Sequence, residues 1–212
     1  MQDSPIRAVL WDFGGVILES PFDAFRRHEE EQGLPRDFIR RLNAADPDRN
    51  AWARFERSEI DLDAFCELFE AEARAAGHPL DARAVVRLLA GEVRPEMVAA
   101  LRNVKACYKT ACLTNNVRAA RRPPEKERQV AEVMALFDLV VESSKVGVRK
   151  PEPRFYEIAC EMLGVRPEEA VFLDDLGVNL KPARAMGMRT IKVGTPAQAL
   201  DELEAVLGHP VR

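Results

Sequence analysis

AVLWDFGGVI, residues 8–17, is the stretch of sequence that decides the fold. An apolar run ends in Asp12, and an unbroken apolar run is typical of a parallel strand that is buried on both faces. Asp12 would then lie at the carboxyl end of that strand, where open α/β sheets bind their ligands. Gly14 and Gly15 allow a sharp turn and a close approach between backbone and ligand. A strand that ends in an Asx-type turn explains the stretch equally well, so the rest of the chain must distinguish the two interpretations.

The segment that follows this strand is predicted to be entirely helical. Ser20 and Pro21 suit the N-cap and the first position of a helix, with Asp23 at the capping-box position. Apolar side chains recur at helical spacing over residues 61–76. No part of residues 21–90 has the pattern of a strand, so a block of helices is inserted after the first strand. The predicted helices cover residues 21–32, 34–45, 50–57, 61–76 and 80–89.

Helices and strands alternate from residue 93 onward, which predicts a parallel α/β sheet of five strands. The charge-dense, proline-broken residues 121–128 are predicted to be an exposed excursion, and residues 118–128 to be the most mobile part of this region. Pro182 is placed in the first turn of its helix. The capping box from Thr195 to Gln198 opens the last helix. The remaining strands are predicted at residues 107–113, 139–141, 170–173 and 188–193, with helices over 95–103, 130–136, 153–163 and up to 186.

Composition and charge exclude several classes of function. A chain of 212 residues allows one domain, or a core domain that carries a smaller insert. The formal net charge of −4, with both signs interspersed, argues against general affinity for nucleic acid or an acidic membrane. No apolar run reaches the ~20 residues of a membrane helix, and the polar residues 1–7 do not resemble a signal peptide. A cytoplasmic protein is therefore expected, with buried, reduced thiols at Cys66, Cys107, Cys112 and Cys160.

Polar side chains follow the predicted strands at the points where each strand ends or passes into a helix. Three aspartates close together would repel one another unless a cation lay among them, and Mg²⁺ suits carboxylates that share a site with phosphate. A lysine, a threonine hydroxyl and backbone N–H groups would hold the remaining phosphate oxygens, and an aspartate can attack phosphorus. Taken singly, each cluster also fits a turn, a solvated charge or a helix N-cap. The clusters are Asp12, Thr114-Asn115, Lys150 and Asp174-Asp175.

Four motifs, in this order, resemble the haloacid dehalogenase-type (HAD) phosphatases with a helical cap inserted after the first motif. The resemblance is closest to the N-terminal phosphatase domain of soluble epoxide hydrolases and to bacterial relatives that include sugar-1-phosphate phosphatases. It implies a HAD-like Rossmannoid parallel sheet with helices on both faces, formed by residues 1–18 and 93–212, and an all-helical cap at residues 19–92. The motifs are WDFGGV (11–16), LTNN (113–116), VGVRKPEP (146–153) and VFLDDLGVNLKPAR (171–184).

The resemblance implies a role for each matching residue. Asp12 would be the nucleophile and, with the Gly14 carbonyl and Asp175, a ligand of Mg²⁺. Lys150 would offset the charge between nucleophile and phosphate. Asp174 and Asn179 would act indirectly, through water or through the ligands themselves. The residues expected to contact the substrate phosphoryl group are Thr114, Asn115, Asn116 and Lys150. The cap would close over the substrate, exclude water and set specificity.

One departure from the family pattern concerns the acid–base step. Most of these phosphatases carry a second aspartate two residues after the nucleophile, and here that position is Gly14. Its backbone carbonyl can still bind Mg²⁺, but glycine has no carboxyl group to protonate the leaving oxygen. As a whole, the resemblance implies a Mg²⁺-dependent phosphatase for a small phosphorylated metabolite. A monomer or a homodimer is expected. Two alternatives stay open, a phospho-ligand-binding protein without turnover and a metal-independent 2-haloacid dehalogenase.

Overall fold

The computed structural model describes residues 5–116 and 123–212, and a five-stranded parallel sheet lies at its centre. The strand order is β3-β2-β1-β4-β5, and every neighbouring pair is parallel. The chain therefore builds outward from β1 on one side and then returns to build on the other, which places the crevice of an open sheet beside β1. The predicted sheet is confirmed. Its strands are β1 (Ala8–Trp11), β2 (Lys109–Thr114), β3 (Leu139–Glu142), β4 (Ala170–Asp174) and β5 (Arg189–Lys192).

Five helices form the segment that is inserted after β1, within residues 21–90. Within residues 21–90 no strand forms, as the sequence predicts. These helices pack around a separate apolar cluster, in which the Phe65 ring stacks on Phe55 at 4.4 Å and on Phe69 at 5.2 Å between centroids. This cluster supports our interpretation of residues 19–92 as a cap. The helices are α1 (Pro21–Glu31), α2 (Phe38–Ala44), α3 (Ala51–Glu56), α4 (Leu62–Ala75) and α5 (Ala82–Arg87).

Helices cover both faces of the sheet because alternate strand residues point to opposite sides. Val9 and Trp11 of β1 belong to one buried cluster, and Ala8 and Leu10 belong to the other. The first cluster packs under α6 (Pro95–Lys105), α7 (Pro124–Met134) and α11 (Pro196–Leu207). The second lies under α9 (Pro153–Leu163) and α10 (Gly177–Ala185), and a short helix α8 (Ser143–Val146) follows β3.

The two linkers between sheet and cap run side by side. Leu18 and Val93 form an antiparallel bridge, and the Glu19 N–H donates to the Glu92 carbonyl at 2.8 Å. Gly91 is required at this contact, since a Cβ there would lie 2.8 Å from the Glu19 carbonyl oxygen. The chain therefore enters and leaves the helical insert at one place.

The structure corrects the prediction for residues 121–128. Helix α7 begins at Pro124, six residues before the predicted start, so residues 124–128 are helical and not an irregular excursion, although most of them are exposed as predicted. Pro124 takes the first helical position, where no N–H is needed, and Glu125 and Glu127 suit the positive end of the helix dipole. Residues 118–122, the first part of the segment predicted to be the most mobile, lie outside the described residues.

Two smaller predictions are also wrong. Pro182 is the sixth residue of α10 and lies beyond its first turn, because the helix already begins at Gly177. Cys107 is exposed, because β2 starts at Lys109 and leaves Cys107 in the preceding turn. The other three cysteines are free and buried. Every helix in the described part of the chain is too short or too polar to cross a lipid bilayer.

Candidate active site

Asp12 follows β1 directly and lies at the start of a tight turn. The Phe13 N–H donates to Asp12 Oδ1 at 2.6 Å, which fixes the carboxylate against its own backbone. The turn Phe13–Ile17 closes where the Leu18 N–H meets the Phe13 carbonyl at 2.8 Å. Asp12 is 8% exposed, so its carboxylate is almost entirely enclosed by the protein.

The two glycines of this turn have different roles. Gly15 has a φ of +77°, and a Cβ at this position would lie 2.1 Å from Oδ2 of Asp175. Gly15 therefore permits both the turn and the approach of Asp175. Gly14 has φ −70° and ψ 132°, which any residue adopts, and nothing lies within 4 Å of an added Cβ. Steric demand therefore does not explain the glycine at position 14.

Lys150 joins two of the aspartates. Its Nζ lies 2.8 Å from Asp12 Oδ1 and 2.8 Å from Asp174 Oδ2, and the side chain is 1% exposed. Burial alone would lower the pKa of Lys150, but the two carboxylates raise it above its usual value, so the ammonium stays charged. The Lys150 side chain thus places one fixed positive charge beside the predicted nucleophile.

One lysine does not offset the charge of three carboxylates. Burial raises the pKa of Asp12 well above its usual value, Lys150 opposes this shift, and repulsion from Asp174 and Asp175 adds to it. Burial and the charge of Asp174 raise the pKa of Asp175 to about 6. A further positive charge in the site would stabilise all of these carboxylates.

The donor set fits a small, hard cation such as Mg²⁺. Carboxylate oxygens of Asp12, Asp174 and Asp175 all lie within 4.8 Å of one another, and oxygen ligands are those that Mg²⁺ prefers. Asp175 is partly exposed, and its Oδ2 accepts a bond from the Ser20 hydroxyl at 3.3 Å. Asp12 Oδ2 accepts no hydrogen bond from the described residues. Asp12 and Asp175 thus offer oxygen atoms to a metal.

Asp174 is more fully engaged by the protein. It is fully buried, and its Oδ1 accepts from the Leu176 N–H at 2.8 Å and from Asn179 Nδ2 at 3.1 Å. Its Oδ2 accepts from Lys150 and, at 3.0 Å, from the same Asn179 amide. These contacts agree with indirect roles for Asp174 and Asn179, which remain predictions.

The residues after β2 are only partly gathered around Asp12. Thr114 is buried at the end of β2, and its hydroxyl has no hydrogen bond to the described residues. The Asn115 side chain instead binds the backbone of Lys150, accepting from its N–H at 2.8 Å and donating to its carbonyl at 2.9 Å. Asn116 donates to Glu142 Oε1 at 2.8 Å and accepts from the Ser144 N–H at 3.2 Å, at the end of β3. The Asn116 side chain is therefore bound to residues at the end of β3.

Sequence reasoning missed three contacts to this site. Ser20 was expected to cap α1 but makes no cap bond and donates to Asp175 instead. Arg94, on the return linker, donates from Nη1 to the Gly15 carbonyl at 3.0 Å. Glu56 of α3 binds Asn115 and Arg149 from the cap. Of these residues, only Arg149 could have been found from the sequence, because it precedes Lys150 in the motif VGVRKPEP (146–153).

The site has a buried aspartate at the carboxyl end of a central parallel strand, and a lysine and two more aspartates lie around it. This arrangement is typical of an enzyme with a Rossmann-type sheet and an acidic centre. A family model for haloacid dehalogenase-like hydrolases matches residues 6–187. The chain belongs to this family of hydrolases, as its motifs predict.

Three curated relatives illustrate the similarity. Acyl-CoA dehydrogenase family member 10 of Mus musculus is 36% identical over 214 residues, which span 97% of this chain and 19% of that protein. Bifunctional epoxide hydrolase 2 of Mus musculus is 33% identical over 216 residues, 96% of this chain and 39% of that protein. The chain thus spans well under half the length of these two relatives. Phosphatase MT3486 of Mycobacterium tuberculosis is 37% identical over 73 residues, 34% of each chain.

Solved structures share the fold. The HAD-hydrolase YfnB from Bacillus subtilis, bound to magnesium, has a TM-score of 0.65 at 19% identity, covering 97% of this chain and 100% of that one. A HAD family enzyme from Bacteroides thetaiotaomicron, in complex with magnesium and inorganic phosphate, has a TM-score of 0.57 at 18% identity over 88% and 93% of the chains. An L-2-haloacid dehalogenase also has a TM-score of 0.57, at 24% identity over 92% and 87%. At these identities the structures show the fold alone.

Proposed function

We propose that this hydrolase is a Mg²⁺-dependent phosphatase that acts on a small phosphorylated metabolite through an aspartyl-phosphate on Asp12. The observation that carries the proposal is the buried Asp12 carboxylate, held by Lys150 at 2.8 Å and facing Asp175. The phosphatase among the relatives, and the structural neighbour with magnesium and inorganic phosphate, support this choice.

The proposed reaction has two steps, and each residue of the site has a role in them. An oxygen of Asp12 attacks phosphorus, the ester P–O bond breaks, and the alcohol departs with a proton from solvent. Water then attacks the phosphorus of the aspartyl-phosphate, which releases inorganic phosphate and restores Asp12. Lys150 and the Thr114 hydroxyl would hold phosphoryl oxygens in line with Asp12. Mg²⁺, held by Asp12, Asp175 and the Gly14 carbonyl, would offset negative charge on the phosphoryl group.

Asp12→Asn tests the nucleophile. The change is isosteric and removes the attacking oxygen's charge, so phosphate release should fall by at least ~10³-fold while the fold is kept. The measurement is phosphate release from a panel of phosphorylated metabolites, with and without EDTA. Asp63→Asn is the matched control, because Asp63 is an exposed aspartate of the cap that pairs only with Arg83 among the described residues. Near-wild-type release by Asp12→Asn would show that Asp12 is not the nucleophile.

Two further measurements, ligand binding and halide release, separate the alternatives. Binding of phosphorylated ligands without turnover would favour a binding protein that has lost catalysis at Gly14. Halide release from a 2-haloacid that EDTA does not affect would favour a dehalogenase, the class to which one of the structural neighbours belongs. The paired Asp174 and Asp175 favour the phosphatase, because metal-independent dehalogenation does not need them. A cytoplasmic location and a monomer or homodimer remain predictions.

A further inference from the structure

Glu56 links the cap to two residues of the sheet domain, Asn115 after β2 and Arg149 beside Lys150. It lies at the end of α3 and is 7% exposed, although it is charged. Its Oε1 accepts from Trp52 Nε1 at 3.0 Å within the cap. Its Oε2 accepts from Arg149 Nε at 2.6 Å and from Asn115 Nδ2 at 3.2 Å, both across the boundary with the sheet. Both oxygens are therefore used, and one of them spans the two parts of the molecule.

The contact continues from Asn115 to the reacting groups. The Asn115 amide binds both backbone polar groups of Lys150, at 2.8 Å and 2.9 Å. The Lys150 ammonium in turn lies 2.8 Å from Asp12. Glu56 thus reaches the predicted nucleophile through two intervening residues, each held by bonds of ordinary length.

The position of Glu56 makes this link depend on the cap. Lids over active sites open to admit substrate and close before the chemical step. Because Asp12 is only 8% exposed, we expect the cap to open for substrate entry, and such a movement would separate Glu56 from Arg149 and Asn115. Return of the cap re-forms a buried ion pair, and a buried pair that loses one partner leaves an uncompensated charge.

We infer that Glu56 is a positioning residue, which holds Asn115 and thereby Lys150 in register with Asp12 when the cap is closed. The inference rests on the proposed phosphatase function. Glu56 does not itself serve as the missing proton donor, because the guanidinium of Arg149 and the Asn115 amide occupy its carboxylate. Its role is to make the alignment of Lys150 conditional on closure.

Glu56→Gln tests the inference, because the change keeps the size of the side chain and removes its charge. The variant should lose at least about tenfold in kcat, with KM within about threefold, because positioning acts on the chemical step. Glu59→Gln is the matched control: Glu59 is a half-exposed glutamate of the same cap, with Arg54 and Arg57 as its ion-pair partners, and should stay within about twofold of wild type. Thermal unfolding of each variant checks that the cap remains folded.

A spectroscopic measurement tests the same link without turnover. In wild type the Arg149 Nε–H should give a separate, slowly exchanging NMR signal, assigned by its loss in Arg149→Lys. Glu56→Gln should move this signal and the Asn115 side-chain amide signals, whereas Glu59→Gln should not. Unchanged signals, or an unchanged kcat in Glu56→Gln while wild type still releases phosphate, would overturn this inference and leave the proposed function intact. Absence of turnover in wild type would instead overturn the proposed function, and the signals alone would then decide the link.

Discussion

Gly14 stands at the position where the phosphatase pattern that the sequence resembles has a second aspartate. The position has no steric reason to be glycine, since its backbone angles suit any residue and the space around a Cβ is open. A carboxyl group at this position would protonate the leaving oxygen, a contribution that typically amounts to ~10²–10⁴-fold. Its absence costs most when the leaving group is a poorly stabilised alkoxide. We therefore expect better hydrolysis of aryl, acyl or anomeric sugar phosphates than of simple alkyl phosphates.

Gly14→Asp should restore part of the missing contribution. Alkyl phosphates should gain about tenfold or more in kcat/KM, and esters with good leaving groups should gain little. The measurement is kcat/KM for a series of monoesters plotted against the pKa of the leaving group. Gly14→Asn is the matched control, because it adds the same bulk without a carboxyl group. A flat plot for wild type, or an equal gain with asparagine, would contradict the expected role.

At the residue scale the sequence predicts the charged groups that meet at the strand ends better than the residues that hold them in place. Asp12, Lys150 and Asp175 stand out because a charge at a strand end requires a partner. Asn116 was expected at the substrate, but its amide is satisfied by Glu142 and the Ser144 N–H. Glu56 could not be predicted, because its partners are brought together only by the packing of cap on sheet.

Among the elements, helix α4 was predicted from its apolar spacing, and its packing confirms that prediction. Its apolar residues were predicted from spacing alone, and Phe65 and Phe69 are both fully buried in the cap cluster. The prediction for α7 failed for a physical reason. Clustered charge and two prolines are typical of a loop, yet proline is also favoured at a helix start, and that preference prevails at Pro124.

Phe65→Ala should therefore destabilise the cap strongly. The ring is fully buried between Phe55 and Phe69, and truncation of a buried phenylalanine typically costs about 3–5 kcal/mol. Chemical denaturation of the whole chain gives the change in the free energy of unfolding. Met162→Ala is the control, since Met162 is 62% exposed and should change stability by no more than about 0.5 kcal/mol. A loss below about 1 kcal/mol for Phe65→Ala would show that these rings do not form the centre of the cap.

For the whole molecule, acid stability should depend on the contact that ties down the C-terminus. Glu204 of α11 accepts from Arg212 and from the Val211 N–H, and these bonds lower its pKa from 4.5 to about 2. A lowered pKa in the folded state stabilises the fold above the unfolded value. That contribution should therefore disappear as the pH falls from about 4.5 toward 2.

Glu204→Gln should flatten the loss of stability between these pH values. The measurement is the midpoint of urea unfolding at several pH values, for wild type and variant. Glu202→Gln is the control on the same helix, since Glu202 accepts from Gln198 rather than from the C-terminal residues. Parallel pH curves for wild type and Glu204→Gln would show that this contact does not contribute to acid stability.

The paired linkers at Leu18 and Val93 have a consequence for how this architecture can be altered. The two ends of the insert lie next to each other. For the sheet, the whole helical block is therefore equivalent to a loop whose two ends meet at one place. The entropy of closing such a loop grows only slowly with its length, so the sheet tolerates inserts of very different size there. We therefore expect that the helical block can be replaced by a different cap. If the bridge between Leu18 and Val93 is kept, the same acidic centre would then lie under a different lid.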